Sequence, residues 1–205
     1  MSVNLSKGQK VNLSKQRSGL SKVMVGLGWD EVQQSTGFLG LFKSKPQDID
    51  CDAFAILLGY DGKLINHASE LKACTVFFNN LRWPNGSIQH MGDNLTGAGE
   101  GDDEQIFVDL NNVPQNVGGI VFAVNIYEAF KRNQHFGMIR NAFIRVVDYD
   151  RQTELCRFNL SENYYNQTAL IAGSLVRTNE GWEFRTDGTA ARVGSLVDVV
   201  SAFAE

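Results

Sequence analysis

Cysteine is scarce. Cys51, Cys74 and Cys156 are the chain's only three, and no two form a C-x-x-C pair. An odd, scattered set gives no disulfide framework and no thiol-redox motif, so shielded free thiols in a reducing cytoplasm are expected. Histidine is equally thin. His67, His90 and His135 fall in separate segments without zinc or nucleophile spacing, and each reads as a surface or turn residue. No apolar run reaches the length of a membrane span, and the opening MSVNLSK lacks the apolar core of a signal peptide. Nothing in the middle of the 205 residues marks a linker, which favours one domain over two. Basic excess is missing too: a net charge of −4 argues against nucleic acid as the main partner.

What is present is acid, and it is concentrated. Residues 92–104 hold five carboxylates (Asp93, Glu100, Asp102, Asp103, Glu104), four glycines and no Lys, Arg or His. The chain's −4 less this loop's −5 leaves +1 for everything else. Such crowding is relieved by solvent or by a cation. Calcium takes about six to eight oxygens from carboxylates, amides, backbone carbonyls and water, and the glycines let a backbone turn its carbonyls inward. An EF-hand loop is excluded, because Leu95, Gly97 and Ala98 stand where acidic or amide side chains belong. A phosphate cradle is excluded by the sign of the charge. A solvated acidic turn is the bland alternative.

A second acidic stretch precedes it. Asp48, Asp50 and Asp52 alternate with Ile49, Cys51 and Ala53, so a strand would turn the carboxylates one way and the apolar side chains the other. A row of like charges on one face repels itself, and a cation bridging it to the loop would relieve the repulsion. Asn79 and Asn80 are either amide donors or turn caps.

The rest of the chain reads as short strands and turns. Val3-Asn4-Leu5-Ser6-Lys7 recurs as Val11-Asn12-Leu13-Ser14-Lys15, which suggests a hairpin about residues 8–10. Strands are expected at 22–28, 54–60, 74–78, 105–110 and 118–127. Hairpins are expected after Asp61-Gly62, between 140–148 and 153–160, and between 168–177 and 182–185. Residues 128–136 suggest a short surface helix. Leu196, Val199, Val200 and Phe203 mark one apolar face of a last helix. Many strands and little helix indicate an all-β sandwich. Residues 31–47 stand apart, with Gly37-Phe38-Leu39-Gly40-Leu41-Phe42 between polar and basic flanks. That apolar run either folds back onto the body or forms a contact patch.

The loop Gly-Asp-Asn-Leu-Thr-Gly-Ala-Gly-Glu-Gly-Asp-Asp-Glu resembles the signature of the TerD family, the tellurium-resistance and general-stress calcium-binding proteins. MSVNLSK, VMVGLGWD, DIDCDAF, VFFNNL, NAFIRVVD, ELCRFNL and the GWEF block agree with the same family in order. The resemblance covers nearly the whole chain except residues 31–47, read as an insertion in a single domain of 1–205, and the last segment. It implies a two-sheet β-sandwich with a few short helices and calcium held in acidic loops at one end. It also implies two calcium ions, with Asp48, Asp50, Asp93, Asn94, Gly97, Glu100, Asp102, Asp103 and Glu104 as the metal residues. A non-enzymatic binding or scaffold module of the bacterial stress and tellurite response is implied. It would act in the cytoplasm or at the inner face of the membrane, beside sister TerD-type paralogues and an integral membrane protein of the same system, with self-association a further expectation. The departures at Ile126-Tyr127-Glu128-Ala129 and after Phe184 bear on the partner surface more than on the loop. From another class, the alternative is a metal-dependent hydrolase using the acidic loop as a two-metal site.

Overall fold

Alternation at a period of two becomes strand through most of the chain. The computed structural model describes residues 2–31, 49–67, 69–92, 101–160 and 162–204, so the expectations placed on residues 37–42 fall outside the described residues. Two six-stranded sheets face each other. The first runs β1 (Val3–Leu5), β10 (Thr153–Asn159), β9 (Ile139–Asp148), β3 (Lys22–Glu31), β7 (Glu104–Asp109), β6 (Ile88–His90). The second runs β2 (Lys10–Asn12), β12 (Gly181–Ala191), β11 (Ala169–Thr178), β8 (Gly119–Ile126), β4 (Cys51–Leu58), β5 (Thr75–Val76). Neighbours pair antiparallel except β1 and β10, which are parallel. The expected sandwich is the observed fold.

The core lies between the sheets. Val23, Val25 and Leu27 of β3, with Ile106 and Val108 of β7, meet Ala53, Ala55 and Leu57 of β4 and Phe122 and Val124 of β8. A second cluster covers the outer face of the second sheet. There Phe54, Ile56, Val121 and Ala123 pack with Leu196, Val199 and Val200 of helix α4 (Leu196–Ser201). Strand β4 is therefore apolar on both faces, and all eight of its residues are buried. The face expected for α4 is the buried one, and Phe203 packs partly against it. Three one-turn helices fill corners: α1 (Leu13–Gln16), α2 (Leu71–Cys74) and α3 (Ala129–Arg132). No helix among the described residues is long and apolar enough to cross a membrane.

Four expectations are corrected. The repeat at residues 3–15 is not a hairpin. Ser6 and Gln9 do close a turn, the Gln9 N–H donating to Ser6 O at 3.1 Å, but β1 joins β10 in one sheet and β2 joins β12 in the other. The second copy then becomes α1, because Asn12 Oδ1 accepts the Lys15 N–H and caps it. Residues 74–78 are not a core strand: α2 takes the first residue, and Thr75–Val76 alone pair, at a sheet edge. After Asp61-Gly62 the chain turns but forms a single bridge, Leu58 to Leu64, rather than a hairpin. His90 is a buried residue, not a surface one. All three cysteines are free and buried. Burial, helped by Glu154, pushes the Cys156 thiol up to about 12.

Candidate metal centre

The acidic stretch is the connection of a hairpin. His90 of β6 pairs with Ile106 of β7, and the Met91 N–H donates to Gln105 O at 2.9 Å, so the acidic stretch joins these two strands. Asp48, Asp93, Asn94, Gly97 and Glu100 lie outside the described residues. Asp50, Asp102, Asp103 and Glu104 are described, and their carboxylates go to different places.

Glu104 points between the sheets. Its side chain is fully buried, and Oε2 accepts the Ala53 N–H at 2.5 Å. The reason lies in β4. The register puts the backbone groups of Asp50 and Asp52 toward β8, so those of Ala53 face the opposite edge. There β5 pairs only as far as Ala55. Glu104 takes the edge N–H, and His90 Nε2 lies 3.1 Å from the Ala53 carbonyl. A carbonyl only accepts, so Nε2 carries the proton, and Nδ1 accepts the Gly92 N–H at 3.3 Å. The two side chains thus replace a missing strand for one residue. Because His90 Nε2 is also 3.5 Å from Glu104 Oε2, the imidazole touches both the entry and the exit of the loop.

Asp102 goes to the outer face of the first sheet. Arg145 of β9 grips it through Nε to Oδ1 at 2.7 Å and Nη2 to Oδ2 at 3.0 Å, while Gln105 Nε2 donates to Oδ2 at 3.0 Å. This is a bidentate, charge-assisted pair, and it raises the Arg145 pKa. Gly26 of β3 makes room for it: a Cβ there would collide with the Asp102 carboxylate. One step along β3, a Cβ on Gly28 would strike Phe143 and, at 2.6 Å, the Gly101 carbonyl. The loop's exit therefore lies in a glycine trough.

Asp103 sits between these two anchors. Its N–H donates to Leu27 O at 2.8 Å, and Oδ2 accepts the Trp29 N–H at 2.7 Å. Burial raises its carboxyl pKa; the Trp29 bond opposes this, and the charges of Asp30 and Asp102 add to it. Burial and two neighbouring carboxylates thus oppose the ionised form of Asp103, while the Trp29 N–H favours it. Asp50 lies on the second sheet, its Oδ2 3.8 Å from Arg132 Nη1. As the alternation of residues 48–53 implies, Ile49, Cys51 and Ala53 belong to the inter-sheet core; Asp52, on the opposite face, is buried as well. Asn80 acts as a cap, its Nδ2 donating to Lys72 O and Thr75 O.

Among the described residues no three or more His, Cys, Asp or Glu stand together as a metal-holding group. A complete donor set therefore has to draw on the part of the loop outside them. The sequence pattern did not single out Arg145 or His90. The signal for His90 was available in Ile88-Gln89-His90, where alternation turns the histidine the same way as a core isoleucine. Nothing in the sequence tied Arg145 to a carboxylate 43 positions away.

The TerD domain family model matches residues 1–203. This chain belongs to the TerD family. It is 44% identical over 204 residues to stress response protein SCP2 of Bacillus subtilis (strain 168), covering 99% of this chain and 100% of that one. It is 42% identical over 203 residues to tellurium resistance protein TerD of an Alcaligenes species, covering 99% and 97%. The solved homologue of telluride resistance protein (TerD) from Streptomyces coelicolor A3(2) superposes with a TM-score of 0.61 at 22% identity, covering 87% of this chain and 95% of that one. That likeness bears on the TerD fold alone. The TerD relatives are named for resistance and stress, not for catalysis.

Proposed function

We propose that this protein is a calcium-binding module of a bacterial stress and tellurite-resistance response, acting by binding rather than by catalysis. The observation that carries the metal reading is Asp103: a part-buried carboxylate whose ionised form is opposed by burial and by Asp30 and Asp102 at the root of the acidic loop. A hard cation with oxygen ligands would offset that burial and like-charge cost. The donor set comprises Asp48, Asp50, Asp93, Asn94, Gly97, Glu100, Asp102, Asp103 and Glu104, with two ions. Within it Asp102 and Glu104 have structural duties, because they already hold Arg145 and the Ala53 N–H. The charge that calcium meets then comes chiefly from Asp103 and from the carboxylates of residues 93–100. When bound, calcium would supply positive charge and fix the loop; the chain's own residues fix the two ends of it.

The stress role rests on relatives of about 40% identity named for tellurium resistance and general stress. Partners are sister TerD-type proteins and a membrane protein of the same system, reached from the cytoplasm. Isothermal titration with calcium and magnesium, beside turnover assays on generic phosphoesters, separates the proposal from a metal-dependent hydrolase. Saturable calcium binding without turnover supports it. No calcium binding at physiological ionic strength, or calcium-dependent turnover, overturns it.

A further inference from the structure

Outside the acidic end, the first sheet carries a cleft of about 220 Å³ at the C-terminal ends of its one parallel pair, β1 and β10. Asn4 lies opposite Arg157 in the register, and the wall continues through Ser6, Lys7, Asn159 and Glu162.

Arg157 is the unusual member. Its guanidinium lies 3.5 Å over the Phe143 ring, and its Nε donates to Asn159 Oδ1 at 3.0 Å, so plane and orientation are both fixed. Among the described residues it has no carboxylate partner. Other part-buried arginines of this protein do: Arg17 has Asp148, Arg132 has Asp50 and Glu128, and Arg145 has Asp102. Arg177 is spent instead on the carbonyls of Val113, Pro114 and Val117. A stacked, oriented guanidinium without a carboxylate partner among the described residues lines this cleft, its Nε engaged by Asn159 and its Nη groups left as donors.

The opposite rim is polar and also incomplete. Lys7 Nζ bonds Glu162 at 3.0 Å and the Gly188 carbonyl at 3.2 Å. Behind it Tyr164 is 7% exposed, and its hydroxyl makes no hydrogen bond. Gly188, at φ +87°, keeps the space between them open: a Cβ there would stand 3.2 Å from the Tyr164 hydroxyl and 3.5 Å from Lys7 Cδ.

We propose that this cleft binds a small oxyanion, a carboxylate or a tetrahedral oxyacid, through the Nη fork of Arg157, with Asn4 and Ser6 as further polar contacts; the Lys7 charge on the rim is already met by Glu162, which also lines the cleft. Two oxygens in one plane match the fork, which an ammonium cannot do. The proposal does not rest on the calcium reading, although Arg157 is the cross-strand neighbour of Arg145 and stacks on the Phe143 ring that borders the exit of the acidic loop.

The test is amide-resolved NMR titration of the full chain with sodium acetate and, separately, sodium sulfate, at ionic strength held constant with sodium chloride. Inorganic phosphate is avoided because it would compete for calcium. Saturable shifts confined to residues 4–7 and 157–159 are expected, with Arg157→Gln weakening the affinity roughly tenfold or more. Arg157→Lys, which keeps charge and stem, should also bind more weakly. Acetate acting alone assigns the cleft to carboxylates, and sulfate acting alone to tetrahedral oxyacids. No saturable shift in these segments up to about 10 mM, or unchanged binding by Arg157→Lys, overturns the proposal.

Discussion

Replacing Glu104 with alanine tests how the two sheets are joined at the acidic end. The carboxylate is buried and accepts the Ala53 N–H at 2.5 Å, with His90 beside it. Truncation leaves a backbone donor on an unpaired edge inside the protein, worth about 1–3 kcal/mol. The space vacated by the side chain adds about 1–2 kcal/mol, so the total is about 2–5 kcal/mol. For a domain of this size each kcal/mol moves the melting temperature by about 2–4 °C, which predicts a fall of roughly 4–20 °C. Glu104→Gln keeps an acceptor of the same shape and loses only charge assistance, at about 1 kcal/mol. Glu180→Ala is the control: that carboxylate is 59% exposed and pairs with Lys15, and its loss should cost below about 0.5 kcal/mol. Differential scanning calorimetry is run with calcium and again in chelator. A join between sheets gives the same loss in both. A loss seen only with calcium would leave Glu104 its place in the donor set but not the join, and a loss no larger than that of Glu180→Ala would refute the argument from burial altogether.

Three further outcomes follow from the geometry. Arg145→Met leaves the buried Asp102 carboxylate without its partner and should cost about 3–5 kcal/mol in urea unfolding; adding Asp102→Asn should restore a large part of that, and no restoration would show that Arg145 acts through packing. Calcium at a hundred times its dissociation constant should add about 2.7 kcal/mol, or roughly 5–10 °C in melting temperature. Asp103→Asn should shrink that increment and Asp109→Asn should not, so equal increments would remove Asp103 from the metal site. With the Cys156 thiol raised to about 12 and all three cysteines buried, a disulfide-exchange reagent at neutral pH should label the native protein far more slowly than the unfolded chain. Fast native labelling would contradict the packing of β10.

Much of the fold was legible because period-two alternation has one physical meaning. Ile106 and Val108, or Cys51 and Ala53, can face a core only from a strand, and α4 announced itself through Leu196, Val199 and Val200. What misled was local similarity. The two copies of Val-Asn-Leu-Ser-Lys look like arms of one ribbon, yet which sheet each joins is set by β10 and β12, more than 140 positions away. At the candidate site, composition located the loop but could not divide its carboxylates by task. Asp102 and Glu104 are spoken for by Arg145 and Ala53, and both partners come from strands remote in sequence. His90 is not legible from histidine spacing because its task is a hydrogen bond to an edge carbonyl from a strand 37 positions away.

The parting of β1 and β2 has a consequence for how the chain is made. The N-terminal dozen residues border both sheets, but Val3 pairs with Cys156 and Lys10 with Arg185. These segments can pair only once β10 and β12, more than 140 positions further on, are available. Until then β10 and β12 each lack the strand that covers their outer edge, and an uncovered edge is where chains pair wrongly. Such long-range closure is slow compared with hairpin formation. Residues 3–12 thus close one edge of each sheet, and the two closures are tied together by the single turn between β1 and β2.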